Sequence, residues 1–297
     1  MNKEQKIIVI AGPTSSGKSS LAVELAKKFN GEIISADSRQ VYKGFDLSSG
    51  KVNKKEMKNI KHYLLDVISP KKNFSVNDYV SLADKAIKEI SEKNKLPFIV
   101  GGSGFYIKAL LGEMVFPEVL PDNKRRIELE KKTTKELYLL LEKLDKKRAK
   151  DIDKNNRRRL IRAIEIAEKL GQVPEIKTEK KYDCLKIAIS LPVTELEEKI
   201  ETRLKQRIKQ GMIKEITNLH KKGLSWKRLE SFGLEFKAIA LYLQKKTTKE
   251  EMINNLKKEI RQYAKRQLTW FKKDKEINWL KNQKEAEKLI QEFLNQP

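Results

Sequence analysis

The sequence is short of cysteine, of acid and of long apolar runs. Cys184 is the single cysteine among 297 residues, which excludes an internal disulfide and a thiolate zinc cage and suits a reducing compartment. No uncharged apolar stretch reaches the roughly 18–20 residues that span a bilayer, so neither a membrane-spanning helix nor a membrane partner is expected. The opening residues, Met1-Asn2-Lys3-Glu4-Gln5-Lys6, lead into only five apolar ones, residues 7–11, too few for the core of a secretory leader. Internal repeats and low-complexity linkers are missing as well. The shortage of acid is the largest imbalance: 41 Asp+Glu against 65 Lys+Arg leave a formal charge of +24. A lysine-rich solvated surface accounts for such a surplus, and so does a polyanionic partner; charge alone leaves both open. At 39% hydrophobic, the chain can bury a sizeable core in one large domain or two modest ones.

What is present alternates. Residues 6–11 read as a buried strand stopped by Gly12-Pro13, and residues 20–29 as a helix with Leu21, Leu25 and Phe29 on one stripe and Gly31 beyond its end. Residues 32–36 form a second strand. Residues 79–94 form a helix striped by Leu82, Ala86 and Ile90, and residues 97–100 a third strand ended by Gly101-Gly102. That order predicts a parallel sheet with helices on both faces. From residue 120 to 183 the pattern is helical and highly charged. Thr134 is expected to cap a helix carrying Leu137, Leu140, Leu141 and Leu144, and residues 157–170 to form another, with Leu160, Ile164 and Ala167 inward and Gly171 past its end. A strand pattern returns at residues 185–191.

Gly12-Pro13-Thr14-Ser15-Ser16-Gly17-Lys18-Ser19 satisfies G-x-x-x-x-G-K-[ST] at every specified position, after a strand and before a helix as the motif requires. Glycines let the backbone curl so that successive N–H groups converge, the helix N-terminus adds positive dipole, Lys18 adds a mobile cation, and the Ser19 hydroxyl can ligate Mg²⁺. The expected fold is therefore α/β: a P-loop NTPase-like parallel sheet flanked by helices, with an all-helical insertion. Its first core part is residues 1–119, the insertion 120–183, and the second core part, with C-terminal helices, 184–297. Asp37 stands just past the carboxyl end of the second strand, where open α/β sheets bind ligands; a helix-capping role competes there. The third strand ends in Gly101-Gly102-Ser103-Gly104, with no acid where a nucleotide hydrolase holds its metal. That argues against an energy-coupling ATPase.

More of the chain carries a pattern. Ser35-Ala36-Asp37-Ser38-Arg39-Gln40-Val41-Tyr42 follows the loop, then His62-Tyr63-Leu64-Leu65-Asp66-Val67 with Pro70, then Gly101-Gly102-Ser103-Gly104-Phe105-Tyr106. Asn155-Asn156-Arg157-Arg158-Arg159-Leu160-Ile161-Arg162-Ala163-Ile164-Glu165 comes next, then Arg203 with Arg207. The last is Arg261-Gln262-Tyr263-Ala264-Lys265-Arg266-Gln267-Leu268-Thr269-Trp270-Phe271. Taken in order over nearly the whole chain, these segments resemble the tRNA dimethylallyltransferase (tRNA isopentenyltransferase) family, in its bacterial type without the zinc finger of eukaryotic members. The family has Thr where Ser19 and Ser103 stand, a His pair at His62-Tyr63 and Asn-Asp at Asn155-Asn156. Ser231-Phe232-Gly233-Leu234-Glu235-Phe236 keeps the family's glycine but not the Tyr-Lys-Glu after it, and no role is transferred to these last three changed segments.

The resemblance implies transfer of a dimethylallyl group from dimethylallyl diphosphate to N6 of an adenosine next to the anticodon, with release of diphosphate. It implies a cytoplasmic, monomeric enzyme that uses Mg²⁺ and binds the tRNA anticodon stem-loop. The loop Gly12–Ser19 would hold the diphosphate, Ser19 the Mg²⁺, and Arg203 the leaving group. Asp37 would take the proton from N6 of a base turned out of its stack, and Ser38, Arg39, Gln40 and Ser103 would contact that base and its neighbours. Arg125, from the cluster Lys124-Arg125-Arg126, and Arg158, Arg159 and Arg162 would meet tRNA phosphates. In the last segment Ile260, Ala264, Leu268 and Phe271 are expected to form an apolar stripe, with Trp270 in the core rather than under a base. Two rivals share parts of this pattern: a P-loop small-molecule kinase using ATP, and an RNA-binding module with a vestigial loop.

Overall fold

The computed structural model describes residues 5–117, 119–175 and 177–296; Met1-Asn2-Lys3-Glu4 lie outside it. In β1 (Lys6–Ala11), side chains alternate between the two faces of the sheet, and both sets are apolar because both faces are covered. Ile7, Val9 and Ala11 join one buried cluster, Ile8 and Ile10 another. There follow α1 (Lys18–Lys28), β2 (Gly31–Ser35), α2 (Lys54–Met57), β3 (His62–Tyr63), α3 (Val76–Glu92), β4 (Leu96–Gly101) and α4 (Gly104–Leu110). Past an insertion bearing α5 (Asn123–Glu130), α6 (Thr134–Leu144), α7 (Lys146–Asp151) and α8 (Arg157–Leu170), the chain resumes with β5 (Asp183–Ile189). The remaining elements are α9 (Val193–Lys209), α10 (Met212–Lys221), α11 (Trp226–Ser231), α12 (Leu234–Leu243), α13 (Lys249–Phe271), β6 (Ile277–Leu280) and α14 (Gln283–Asn295).

The six strands form one parallel sheet in the order β3-β2-β4-β1-β5-β6. The α3 and α4 helices cover one face through Tyr79, Ala83, Ile87, Ile90, Ile107 and Leu110, and α1 and α14 cover the other through Leu21, Leu25, Ile290 and Phe293. A further apolar cluster joins Val41, Tyr42 and Phe45, just beyond β2, to α9, α10, α12 and α13. The α/β sheet architecture is thus as expected. Among the described residues, no helix is long and apolar enough to cross a membrane.

The chain divides into two compact units: residues up to Leu111 together with Lys180 onward, and Gly112–Glu179. The insertion therefore begins and ends before the expected 120 and 183. An antiparallel bridge between Val115 and Lys177, with Glu179 N–H donating to Gly112 O at 2.7 Å, zips its two connecting segments together. That pairing is too short to leave a period in the sequence. The unit has its own core, in which Leu137 and Leu141 of α6 meet Leu160 and Ile164 of α8. The cap of α6 is Thr133, not Thr134: its hydroxyl accepts from Glu136 N–H, and the Glu136 carboxylate accepts from Thr133 N–H, a reciprocal capping box. Gly171 ends α8 at φ 79°, as expected.

Candidate active site

The ends of β1, β2 and β4 carry the loops that make the site. After β1 the backbone coils through left-handed or glycine-type conformations at Gly12 (φ 147°), Ser15 (φ 62°) and Gly17 (φ 88°) before α1 begins at Lys18. This curl is what aims loop amides inward in an anion-binding nest. Among the described residues the buried Ser16 hydroxyl has no hydrogen-bond partner, and Ser19 stands half-buried in the first turn of α1. The Lys18 ammonium donates to Pro13 O at 3.0 Å. Burial, and then the Arg203 guanidinium, push its pKa down to about 8, while Asp37 acts in the opposite sense. Lys18, Arg203 and Asp37 therefore lie in one electrostatic neighbourhood.

Asp37 follows β2 in a turn. Its Oδ1 accepts from Arg39 N–H at 2.8 Å and Gln40 N–H at 3.3 Å, so it braces a turn; no helix starts there for it to cap. Both bonds use one oxygen; among the described residues no donor reaches Oδ2. Burial raises the pKa of Tyr106 and brings that of Tyr263 to about 12, with the Asp37 charge contributing to both. Arg203, from α9, donates to Gly50 O at 2.9 Å; burial and then Arg207 lower its pKa. Arg207 in turn bonds the Leu47 carbonyl and pairs with Glu235 of α12 at 3.0 Å.

Several expected contact residues are already engaged. The Ser103 hydroxyl accepts from Ser38 N–H at 3.2 Å, and Ser103 N–H donates to Ala36 O at 3.2 Å, so Ser103 braces the turn that carries Asp37. Arg39 donates through Nε to Phe232 O at 2.9 Å and lies over the Phe232 ring, while Gln40 accepts from the Ser35 hydroxyl at 2.9 Å. Within the insertion, Arg125 donates to Glu168 and Glu128, and Arg162 to Val119 O at 2.7 Å. Arg158 and Arg159 instead stay exposed, with no acid partner among the described residues. In α13 the expected apolar stripe packs inward, with Ile260, Ala264 and Phe271 buried and Leu268 half-buried against the same cluster as Ile260 and Ala264; Gln267 is buried beside it. Trp270 is 37% exposed, and its ring edge lies against Gly104, where a Cβ would meet Cδ1 at 2.3 Å.

Among the described residues, no cluster of three His, Cys, Asp or Glu forms a metal cage. The donor set instead suits a cation carried mainly by a substrate's phosphates and touched by one protein hydroxyl, the usual way Mg²⁺ is bound beside a phosphate loop. Lys18, Arg203 and the loop amides can neutralise a diphosphate; the carboxylate of Asp37 can accept a proton beside it.

Residues 40–274 match the family model described as IPP transferase. A tRNA dimethylallyltransferase from Halothermothrix orenii is 40% identical over 97% of this chain and 93% of its own length. A tRNA dimethylallyltransferase 2 from Geotalea uraniireducens is 39% identical over 93% and 92%. The crystal structure of a full-length tRNA isopentenylpyrophosphate transferase from Bacillus halodurans superposes with a TM-score of 0.75 at 35% identity, over 98% and 97% of the two chains. A eukaryotic dimethylallyltransferase acting on tRNA superposes at 0.78 and 30%, over 90% of this chain and 69% of the other. Matched along nearly its whole length in both sequence and fold, this chain is a member of the IPP transferase family.

Proposed function

We propose that the protein is a tRNA dimethylallyltransferase that prenylates N6 of an adenosine next to the anticodon. The observation that carries this reading is the positive-φ curl of the Gly12–Ser19 loop after β1 together with the turn after β2, in which Asp37 commits one carboxylate oxygen and leaves the other for an amine proton; Lys18 and Arg203 supply two cations for a departing diphosphate. In the reaction, the C1–O bond of dimethylallyl diphosphate breaks and its electron pair leaves with the diphosphate. The N6 lone pair forms the new C–N bond, and the N6 proton passes to Asp37. Charge builds on the leaving oxygens, so Lys18, the loop N–H groups and Arg203 act most strongly where the barrier lies. A Mg²⁺ held by Ser19 and the diphosphate would add Lewis-acid neutralisation of the same charge.

Asp37 uses one carboxylate oxygen for its turn, which supports the other as the proton acceptor. An anticodon-loop base must leave its stack to reach this oxygen. Arg39 and Gln40 are fixed by protein contacts, which supports them as a rigid frame for that base. Arg125 and Arg162 are engaged within the insertion, so the phosphate contacts are assigned to Arg158 and Arg159. A tRNA substrate sets the proposed location as the cytoplasm.

The test is mass spectrometry of tRNA nucleosides after incubation with the purified protein, Mg²⁺ and dimethylallyl diphosphate. An adenosine heavier by one prenyl unit is expected. Transfer of γ-phosphate from ATP to a small molecule, with dimethylallyl diphosphate inert, would establish the kinase instead.

A further inference from the structure

Gln267 stands where an apolar residue belongs. It lies on the buried face of α13, three residues after Ala264 and four before Phe271, and is 7% exposed. Those neighbours anchor the helix in different cores: Ala264 packs among α9, α10 and α12, and Phe271 under the sheet. A polar side chain at such a position is costly unless its amide is fully paired. Both ends of this amide are paired, each to a different site loop. Oε1 accepts from Thr14 N–H at 2.9 Å, and Nε2 donates to Gly102 O at 2.9 Å. The fit is close, since a Cβ on Gly102 would fall 2.2 Å from Nε2 and 3.3 Å from Gly12 O.

We infer that Gln267 is the positioning residue that sets the phosphate loop relative to the Asp37 turn. The loop holds Ser15 at φ 62°, a conformation non-glycine residues visit rarely and keep only when their surroundings impose it. Its backbone contacts within itself are sparse: Ser16 N–H reaches Pro13 O at a long 3.4 Å. Besides the Lys18 ammonium, which belongs to the motif itself and reaches Pro13 O, Gln267 supplies, among the described residues, the side-chain hydrogen bond that reaches this loop's backbone from outside residues 12–19. The Gly102 end passes the constraint on. Ser103, the next residue, bonds Ala36 O and Ser38 N–H on either side of Asp37. One amide and one hydroxyl thus link the loops after β1, β4 and β2, fixing diphosphate cradle and proton acceptor at one separation. A shift of about 1 Å between reacting groups costs up to about a hundredfold in rate.

The inference rests on the prenyl-transfer reading, and its test separates the two. Gln267→Met keeps the length and volume of the side chain and makes neither bond; Gln267→Glu keeps the acceptor for Thr14 and loses the donor to Gly102. Each is compared with the parent by calorimetric titration with Mg²⁺-pyrophosphate, by steady-state kinetics, by anticodon-arm binding and by melting. Gln267→Met is expected to weaken pyrophosphate binding and to raise KM for dimethylallyl diphosphate by roughly tenfold or more. It should also lower kcat by roughly ten- to a hundredfold, with KM for tRNA and anticodon-arm affinity within about twofold of the parent. If Gln267→Met melts below the assay temperature, Gln267→Glu carries the test, with the same direction expected. Variants that fold and match the parent in pyrophosphate affinity and kcat overturn the inference alone. A parent that binds neither pyrophosphate nor prenylates tRNA overturns the underlying reading.

Discussion

Asp37 and Lys18 are worked hard by their surroundings, and each gives a measurable consequence. Asp37→Asn preserves an acceptor for the Arg39 and Gln40 amides but removes the base, so prenyl transfer should fall by about 10²–10⁴-fold while anticodon-arm binding persists; single-turnover kinetics and filter binding check this. Lys18, its pKa lowered to about 8 by burial and Arg203, is charged below that pH and loses its proton above it. A bound diphosphate favours the ammonium, so the complex holds more protons than the free protein in the window above pH 8. Diphosphate affinity should therefore weaken as pH rises through 8 to 10, with proton uptake on binding, read by calorimetry in buffers of different ionisation enthalpy. A pH-independent affinity across that window would remove Lys18 from the cradle. At this scale the sequence was informative where chemistry is local. The phosphate motif and Asp37 declare themselves in a few adjacent residues. Arg125 did not, because the Glu168 that neutralises it lies 43 positions away. Gln267 left a fainter mark, a lone amide on the buried stripe between Ala264 and Phe271.

Among the elements, β4 is the most constrained, lying between β1 and β2 and ending against the Asp37 turn. A Cβ at Gly101 would come within 2.1 Å of Ala36 O, a backbone atom with nowhere to go. Gly101→Ala is expected to destabilise the fold by roughly 1–3 kcal/mol through overpacking, seen as a lowered denaturation midpoint at unchanged m-value. The long strands and helices were legible because their burial patterns repeat: β1 spans the predicted residues, and α8 runs to its glycine stop. The two-residue β3 and four-residue β6 were not. Each is defined by pairing to a neighbour rather than by a period of its own. The misplaced α6 cap has a different cause: with threonine at both 133 and 134, only Glu136 three residues on identifies the first as the cap.

For the molecule as a whole, the +24 charge makes a quantitative demand. If it serves an RNA, log affinity for the anticodon arm should fall linearly with log salt, by about 0.7–0.9 for each phosphate contacted. Replacing both Arg158 and Arg159 with Ala should reduce that slope by roughly 1.4–1.8. Arg125→Ala should alter it less, because Glu168 and Glu128 already hold that guanidinium. A slope unchanged in the double variant would return those arginines to plain solvated surface.

The tie between Thr14 and Gln267 also bears on how the molecule is made. A nascent chain exposes its phosphate motif early, yet the amide that braces it is translated some 250 residues later, and β1 waits for β5 to emerge before both its edges are paired. A ribosome that stalls before α13 releases a polypeptide bearing the whole motif without the Gln267 brace, so catalytic competence has to wait until α13 has been made.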